Sequence, residues 1–373
     1  MTRGRSRERC AIVLQGGGAL GAYQAGAFET LAAVEHVPDW VAGVSIGAIN
    51  AALIAGNAPE DRVARLKTFW ERVSSSTQLP PWLDALIPGG PEGWSASQAL
   101  AFGVPGFFAP RFPPTEFWSS SARSLSYYDT GPLHETLLEL IDFDRLNDGE
   151  VRCSLGAVDV ASGNSVYFDT RDGRIDPEHV MASGALPPGF PAVEIGGRCY
   201  WDGGLVSNTP LQYVLDENLP QDDLRVFQVD LFSARGALPT TLSEMAQREK
   251  DIRFSSRTRL NTDAVARLQT VKAAAHRLAA KLPSDLKDDP DAMFLSELAD
   301  GASVAIVHLI HRQAPFETDA KDYEFSRRSV ERHWRSGGDD ARAALASPRW
   351  NDRRREPGVQ VFDATRATDL HTE

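Results

Sequence analysis

Ser45 lies in "GVSIG", residues 43–47, between a short apolar run, "DWVAGV" (39–44), and an apolar stretch that begins "AINAAL". A G-x-S-x-G serine is suited to nucleophilic chemistry because it sits on a turn so sharp that its neighbours, here Gly43 and Gly47, must be small. The hydroxyl is held out at the carboxyl end of a strand, over a helix N-terminus that favours developing negative charge. Acyl transfer to it passes through a tetrahedral oxyanion, which needs N–H donors about 3 Å away and clear of side chains. Gly16, Gly17 and Gly18, in "AIVLQGGGALGAYQAG" (11–26), offer such donors at the end of a neighbouring apolar run. Three bare residues in a row are entropically costly, which argues that something approaches that backbone closely. The same glycines also fit G-x-G-x-x-G, the dinucleotide fingerprint, or a plain tight turn. Asp39 has roughly the spacing that the fingerprint asks of its acidic residue, but it precedes its strand instead of following it. No Lys follows the glycines as a phosphate loop requires.

A nucleophilic serine needs a base. The histidines are His36, His134, His179, His276, His308, His311, His333 and His371, and none lies in a glycine-rich strand-end loop that would aim it at Ser45. His308 and His311 fall in or beside a strand, and His134, His179, His276 and His333 fall on helix-like patterns. The better candidate is Asp202 in "YWDGGLVSNTP" (200–210), which follows a short strand and precedes two glycines. Alone, an Asp on a glycine turn is a turn former. Beside a nucleophile elbow and a glycine loop it becomes a candidate base. An ordinary Asp, with a pKa near 3.9, is a poor base, so this role requires an environment that raises it, such as burial beside Trp201.

The elements that must position these residues alternate. Strands are expected at 10–15, 39–44, 224–232 and 302–311, a hairpin over 151–170, and strand, turn, strand over 193–211. Helices are expected at 19–34, 46–57, 58–73, 131–147, 177–190, 241–282 and 323–345. Strands alternating with helices predict a mainly parallel sheet covered on its faces. Residues 40–59 carry no charge and are long enough for a membrane span, but their Gly, Ser and Asn fall where a strand–turn–helix puts them. Residues 78–128 are rich in Pro, Gly and aromatics and poor in charge. They read as a lid, an acyl-chain channel with Phe107 and Phe108 against the substrate, or aromatics closing one side of the core. Arginines 327, 328, 332 and 335 on the last helix face either anionic lipid or solvent, and 253, 257 and 259 earlier either pair with acidic residues of the core or reach a substrate head group.

Together and in this order, "GGGALGAYQAG" (16–26), "GVSIGAINA" (43–51), "ASGALPPGFPAV" (182–193) and "DGGLVSNTP" (202–210) resemble the patatin-like phospholipase family. The resemblance runs from about residue 10 to 232. It implies a three-layer α/β/α fold, a Ser45–Asp202 dyad, an oxyanion hole from Gly16–Gly18, no metal or other cofactor, and hydrolysis of acyl esters in lipids. Leu20 stands where many bacterial members carry Arg, which removes one cation from the expected site rim. Residues 321–345 are similar to a C-terminal extension in a bacterial subgroup of the family. The domain plan is then a core at 10–232, a mainly helical extension at 240–346 packed on it, and tails at 1–9 and 347–373.

At 373 residues, 42% hydrophobic and 24% charged, the chain has the composition of a globular protein. A net charge of −12 argues against nucleic acid as the main partner. Cys10, Cys153 and Cys199 have no metal-ligand spacing and read as free thiols of a reducing compartment. The expected partner is a lipid or acyl-ester substrate, met in the cytoplasm with peripheral contact at a membrane. The runner-up function is a non-catalytic lipid- or acyl-binding protein on the same fold.

Overall fold

The computed structural model describes residues 8–74, 90–111, 125–219, 222–283, 286, 288–298, 302–312 and 321–363. The strands, in chain order, are Arg9–Leu14 (β1), Trp40–Val44 (β2), Ala109–Pro110 (β3), Tyr128–Asp129 (β4), Arg152–Asp159 (β5), Ser165–Asp169 (β6), Val193–Ile195 (β7), Arg198–Asp202 (β8), Leu224–Asp230 (β9), Ser303–Ile310 (β10) and Gly358–Asp363 (β11). The helices are Gly21–Ala33 (α1), Ile46–Ala55 (α2), Arg62–Val73 (α3), Gly90–Phe102 (α4), Gly131–Leu140 (α5), Phe143–Asn147 (α6), Pro177–Ser183 (α7), Leu211–Asp216 (α8), Leu242–Ala279 (α9), Pro290–Leu298 (α10), Arg327–Ala346 (α11) and Pro348–Asn351 (α12).

Nine strands form one sheet in the order β11-β10-β9-β1-β2-β5-β8-β7, with β6 also on β5, while β3 and β4 pair separately. The pairings from β11 through to β5 along this order are parallel, and those of β6, β7 and β8 are antiparallel. The apolar runs of β1 and β2 are buried on both faces, as strands inside a parallel sheet must be. Alternate residues serve different layers. Ile12 and Leu14 pack into the cluster that holds α1, α2 and α11, whereas Ala11 and Val13 pack with Leu211 and Val214 of α8. This is the expected three-layer α/β/α arrangement.

Helix α1 has no polar face because it is enclosed: ten of its thirteen residues are buried. α11 lies across it, and glycines on both helices let the backbones touch. A Cβ on Gly26 would run into the Trp334 carbonyl, and one on Gly337 into that of Tyr23. Trp334 Nε1 donates to Glu29 at 2.6 Å, and the Tyr23 hydroxyl to Asp340 at 2.7 Å. The C-terminal extension is thus the outer layer over α1, and its β10 and β11 enlarge the central sheet.

Three expectations change. The helix begun at 177, expected to be stopped by Pro187-Pro188, already ends at Ser183, because carbonyls beyond it bond other segments. The tail expected from 347 contains α12 and β11. Strand β11 pairs in parallel with β10, and Phe362 packs on Trp350 with ring centroids 5.4 Å apart. At the other end, Glu8 is buried and bonded by Arg353, and Arg9 opens β1, so these two residues belong to the fold; residues 1–7 and 364–373 lie outside the described residues. Residues 78–89 and 112–124 of the 78–128 segment lie outside them too, including Trp82, Phe112, Phe117 and Trp118. Residues 40–59 form β2 and α2, and among the described residues no helix is long and apolar enough to cross a membrane.

Gly337→Val tests the crossing of α1 and α11. Its side chain would meet backbone that cannot yield, so a stability loss of about 3 kcal/mol is expected in urea unfolding. A valine variant as stable as the parent would mean that the helices are not locked by this contact.

Candidate active site

Ser45 links β2 to α2 with φ 57° and ψ −125°, a conformation that costs energy in any residue with a Cβ. Its neighbours leave no space for side chains. A Cβ on Gly43 would strike the Gly47 carbonyl, and one on Gly47 the Leu14 carbonyl. The Ser45 N–H donates to both the carbonyl and Oγ of Ser183, each at 3.1 Å, and Ser183 Oγ donates to the Gly156 carbonyl at 2.6 Å. The strained turn is therefore held from outside by the end of α7. The sharp strand-to-helix turn expected at 43–47 is present.

Asp202 reaches Ser45 because two strands share one edge of β5. β2 pairs with Arg152–Gly156 and ends there at Val44. β8 takes over at the next residue, with Asp202 opposite Ala157, and runs in the opposite direction. β6 occupies the other edge. The tip of β8 thus meets the tip of β2 end on. Gly203 turns across β5 so closely that a Cβ there would lie 2.5 Å from the Gly156 oxygen and 3.1 Å from Val44 Cγ1.

The Asp202 carboxyl is 2% exposed. Burial raises its pKa to about 6, against the opposing pull of hydrogen bonds from the Ser45 hydroxyl and the Gly204 N–H. The Gly204 bond is 2.7 Å long. Among the described residues no histidine is bonded to either side chain. Burial was the expected cause, but Trp201 is not its source: as the preceding strand residue, Trp201 points to the opposite face.

The three glycines follow β1 beside the elbow, and a Cβ on Gly16 would lie 3.0 Å from Ser45 Cβ. Their parts differ. The Gly16 N–H is committed to the Asn208 carbonyl at 3.1 Å, while Asn208 Nδ2 donates to the Gly16 carbonyl at 3.0 Å. This two-way clamp removes Gly16 from the expected donors. Gly17 and Gly18 donate to no protein group among the described residues. Gln15 anchors the base of the loop. Its Oε1 accepts from the N–H groups of Leu231 and Phe232 at 2.6 and 3.0 Å, and its Nε2 reaches Thr209 Oγ1 at 3.0 Å. Leu20 is fully buried in the core cluster and does not stand on a rim.

Phe107 and Phe108 are 7% and 4% exposed, and they pack against Phe69, Tyr128, Phe190 and Phe325 with ring centroids 4.8–6.5 Å apart. They belong to the core, so the acyl-channel role expected of them has no support in this packing. Arg253 pairs with Glu249 on its own helix at the surface, and Arg327 donates to the Glu71 carbonyl. The side chains of Arg257 and Arg259 lie outside the described residues.

Sequence reading missed Gln15, Ser183, Ala185 and Asn208. Ala185 accepts the Asp202 N–H at 3.0 Å, so the segment after α7 holds the backbones of both Ser45 and Asp202. The only signal was a buried-type position occupied by Gln, and polar residues of "ASGAL" and "VSNTP" with no surface helix to serve.

Comparison with known proteins agrees with this geometry. A family model described as patatin-like phospholipase matches residues 12–215, and a second, described as patatin phospholipase, matches residues 252–357. No curated protein matches the chain significantly. Among solved structures, VipD from Legionella pneumophila is similar at 13% identity and TM-score 0.40, with 91% of this chain and 67% of that one covered. ExoU in its complex with SpcU from Pseudomonas aeruginosa is similar at 15% identity and TM-score 0.28, with 91% and 77% covered. Likenesses this loose carry no weight for activity.

The raised Asp202 pKa has a consequence for stability. In the unfolded chain the group loses its proton near its ordinary 3.8, but in the folded protein only near 6. Folding stability is therefore expected to fall as pH rises through that window, by about 1.4 kcal/mol per unit of difference. Asp202→Asn should be more stable than the parent above pH 7, and the gap should close toward pH 4 in paired urea titrations. A gap independent of pH would mean that the carboxyl is not held protonated by the fold.

Proposed function

The chain belongs to the patatin-like phospholipase family, and from that premise we propose that it is a serine acyl hydrolase acting on phospholipids or other acylglycerols through a Ser45–Asp202 dyad. The observation that carries the proposal is a buried carboxyl, raised toward neutrality, at the tip of β8 where it meets the tip of β2 and the serine on its strained elbow. Ionised Asp202 takes the Ser45 proton as Oγ attacks the ester carbonyl carbon. The carbonyl oxygen becomes an oxyanion, for which the unused Gly17 and Gly18 amides are the donors, with the N-terminus of α2 adding positive potential. Collapse expels the alcohol, which takes the proton back from Asp202, and leaves the acyl group on Ser45. Water then repeats the sequence: Asp202 removes its proton, the fatty acid leaves, and Ser45 Oγ is reprotonated.

The pKa match favours this chemistry. A base near 6 is largely ionised at pH 7 yet basic enough to share a proton in the transition state. The free thiols of Cys10, Cys153 and Cys199 support action in a reducing compartment.

A fluorophosphonate probe with mass spectrometry, alongside hydrolysis of phosphatidylcholine vesicles, diacylglycerol and p-nitrophenyl butyrate, tests the reading. Labelling is expected at Ser45, and Ser45→Ala should lose turnover while remaining folded. Binding of fatty acids without labelling or turnover would favour the non-catalytic alternative.

Asp202→Asn should lower kcat about 10²- to 10⁴-fold. The parent's kcat/KM should rise with pH through an apparent pKa near 6, because only the ionised carboxylate accepts the proton. A limb at the ordinary carboxylate value, or a histidine variant as damaging as Ser45→Ala, would displace Asp202 as the base.

A further inference from the structure

The donors assigned to the oxyanion lie between two walls. On one side, a Cβ on Gly17 would stand 2.7 Å from Leu231 Cδ1 and 3.2 Å from Phe232 Cε2. On the other, Gly18, at φ 56°, faces the Asp322 carbonyl so closely that a Cβ would run into it. The second wall is a 3-10 turn, Lys321–Tyr323, which belongs to the C-terminal extension and not to the segment that carries Ser45 and Asp202. It also borders the base: burial, then the charges of Asp322, Tyr128 and Asp202, push the Tyr323 phenol up to about 12.

Two crossed ion pairs tie this turn to α9. Lys321 Nζ meets Asp251 Oδ1 at 2.7 Å, with side chains 3% and 9% exposed, and Lys250 Nζ meets Asp322 Oδ1 at 2.7 Å. Lys321 Nζ also stands 5.5 Å from the Phe232 ring centre, on the wall facing Gly17. Phe232 in turn stacks on Phe254 of α9 at 5.0 Å. Buried ion pairs return little net stability against an apolar replacement, yet they hold backbone in one register. These two hold a turn whose carbonyl touches the donor loop.

We propose that Lys321–Asp251 and Lys250–Asp322 are positioning pairs for catalysis: they press the turn 321–323 against Gly18 and thereby set the direction of the Gly17 and Gly18 amides. The extension is then a working part of the oxyanion site. This rests on the acyl-hydrolase reading above. None of the four residues bonds Ser45 or Asp202, so loosening the pairs should weaken stabilisation of the transition state without altering ground-state binding or the base.

The test is Lys321→Met/Asp251→Asn, which removes both buried charges together, assayed on p-nitrophenyl butyrate. A kcat lower by about 10- to 100-fold is expected, from donors misaimed but not deleted. KM should stay within about twofold and the acid limb should be unmoved. The exchange Lys321→Asp/Asp251→Lys should recover part of the loss. If the first double variant does not fold, Lys250→Gln/Asp322→Asn, at the more exposed pair, should show the same split between kcat and KM. A folded variant with parental kcat, or one in which KM rises as kcat falls and the exchange restores nothing, overturns the proposal. Failure of the parent to label at Ser45 would overturn the acyl-hydrolase reading itself, whereas a labelled, active parent with indifferent pair variants would overturn only the positioning role.

Discussion

Two strands approach each other head on along one edge of β5, and the gap between their tips holds Ser45 and Asp202. Two strands placed end to end on that edge and both parallel to β5 would meet head to tail, the carboxyl end of one against the amino end of the other. The antiparallel entry of β8 permits the meeting. It also explains the small residues there. Gly156 lies beneath the crossing, Gly203 makes it, and Gly43 and Gly47 let the elbow turn without obstruction.

Burial decides the chemistry of that carboxyl, and a second buried aspartate gives the contrast. Burial alone would raise Asp169 as well. Hydrogen bonds from Arg152, 2.9 Å away, and from Ser154 outweigh it and hold Asp169 below its ordinary value. Asp202 has only the Ser45 hydroxyl and the Gly204 amide to lower it, neither of which carries a charge. The same type of side chain is thus a permanent anion in one place and a group titrating near neutrality in the other. The cause in each case is the presence or absence of a guanidinium.

The extension after residue 240 is built into the rest of the protein. β10 covers the edge that β9 would otherwise expose, and β11 covers β10 in turn. α11 seals α1 through glycine contacts that need both helices in place. The 321–323 turn reaches the glycine loop itself. The two family matches, at 12–215 and 252–357, are therefore two stretches of sequence serving one sheet and one candidate site.

Much of this was legible in the residues alone. Apolar runs ending in glycine, the small neighbours of Ser45 and the Asp–Gly–Gly turn depend on local sterics, which spacing along the chain records. Those features were enough for the fold class and for placing the glycine loop, the turn at Ser45 and the Asp202 turn at strand ends. Tertiary structure decided what depends on contacts between distant segments. The Gly16 N–H is occupied because it donates to the carbonyl of Asn208, 192 positions away. Phe107 and Phe108 went to the core because other rings surround them, and "GVQVFD" became a strand because β10 offers it an edge. Burial raised Asp202 because β8 carries it into the sheet's interior without a cation, and no property of "YWDGG" alone records which charges the rest of the chain brings near.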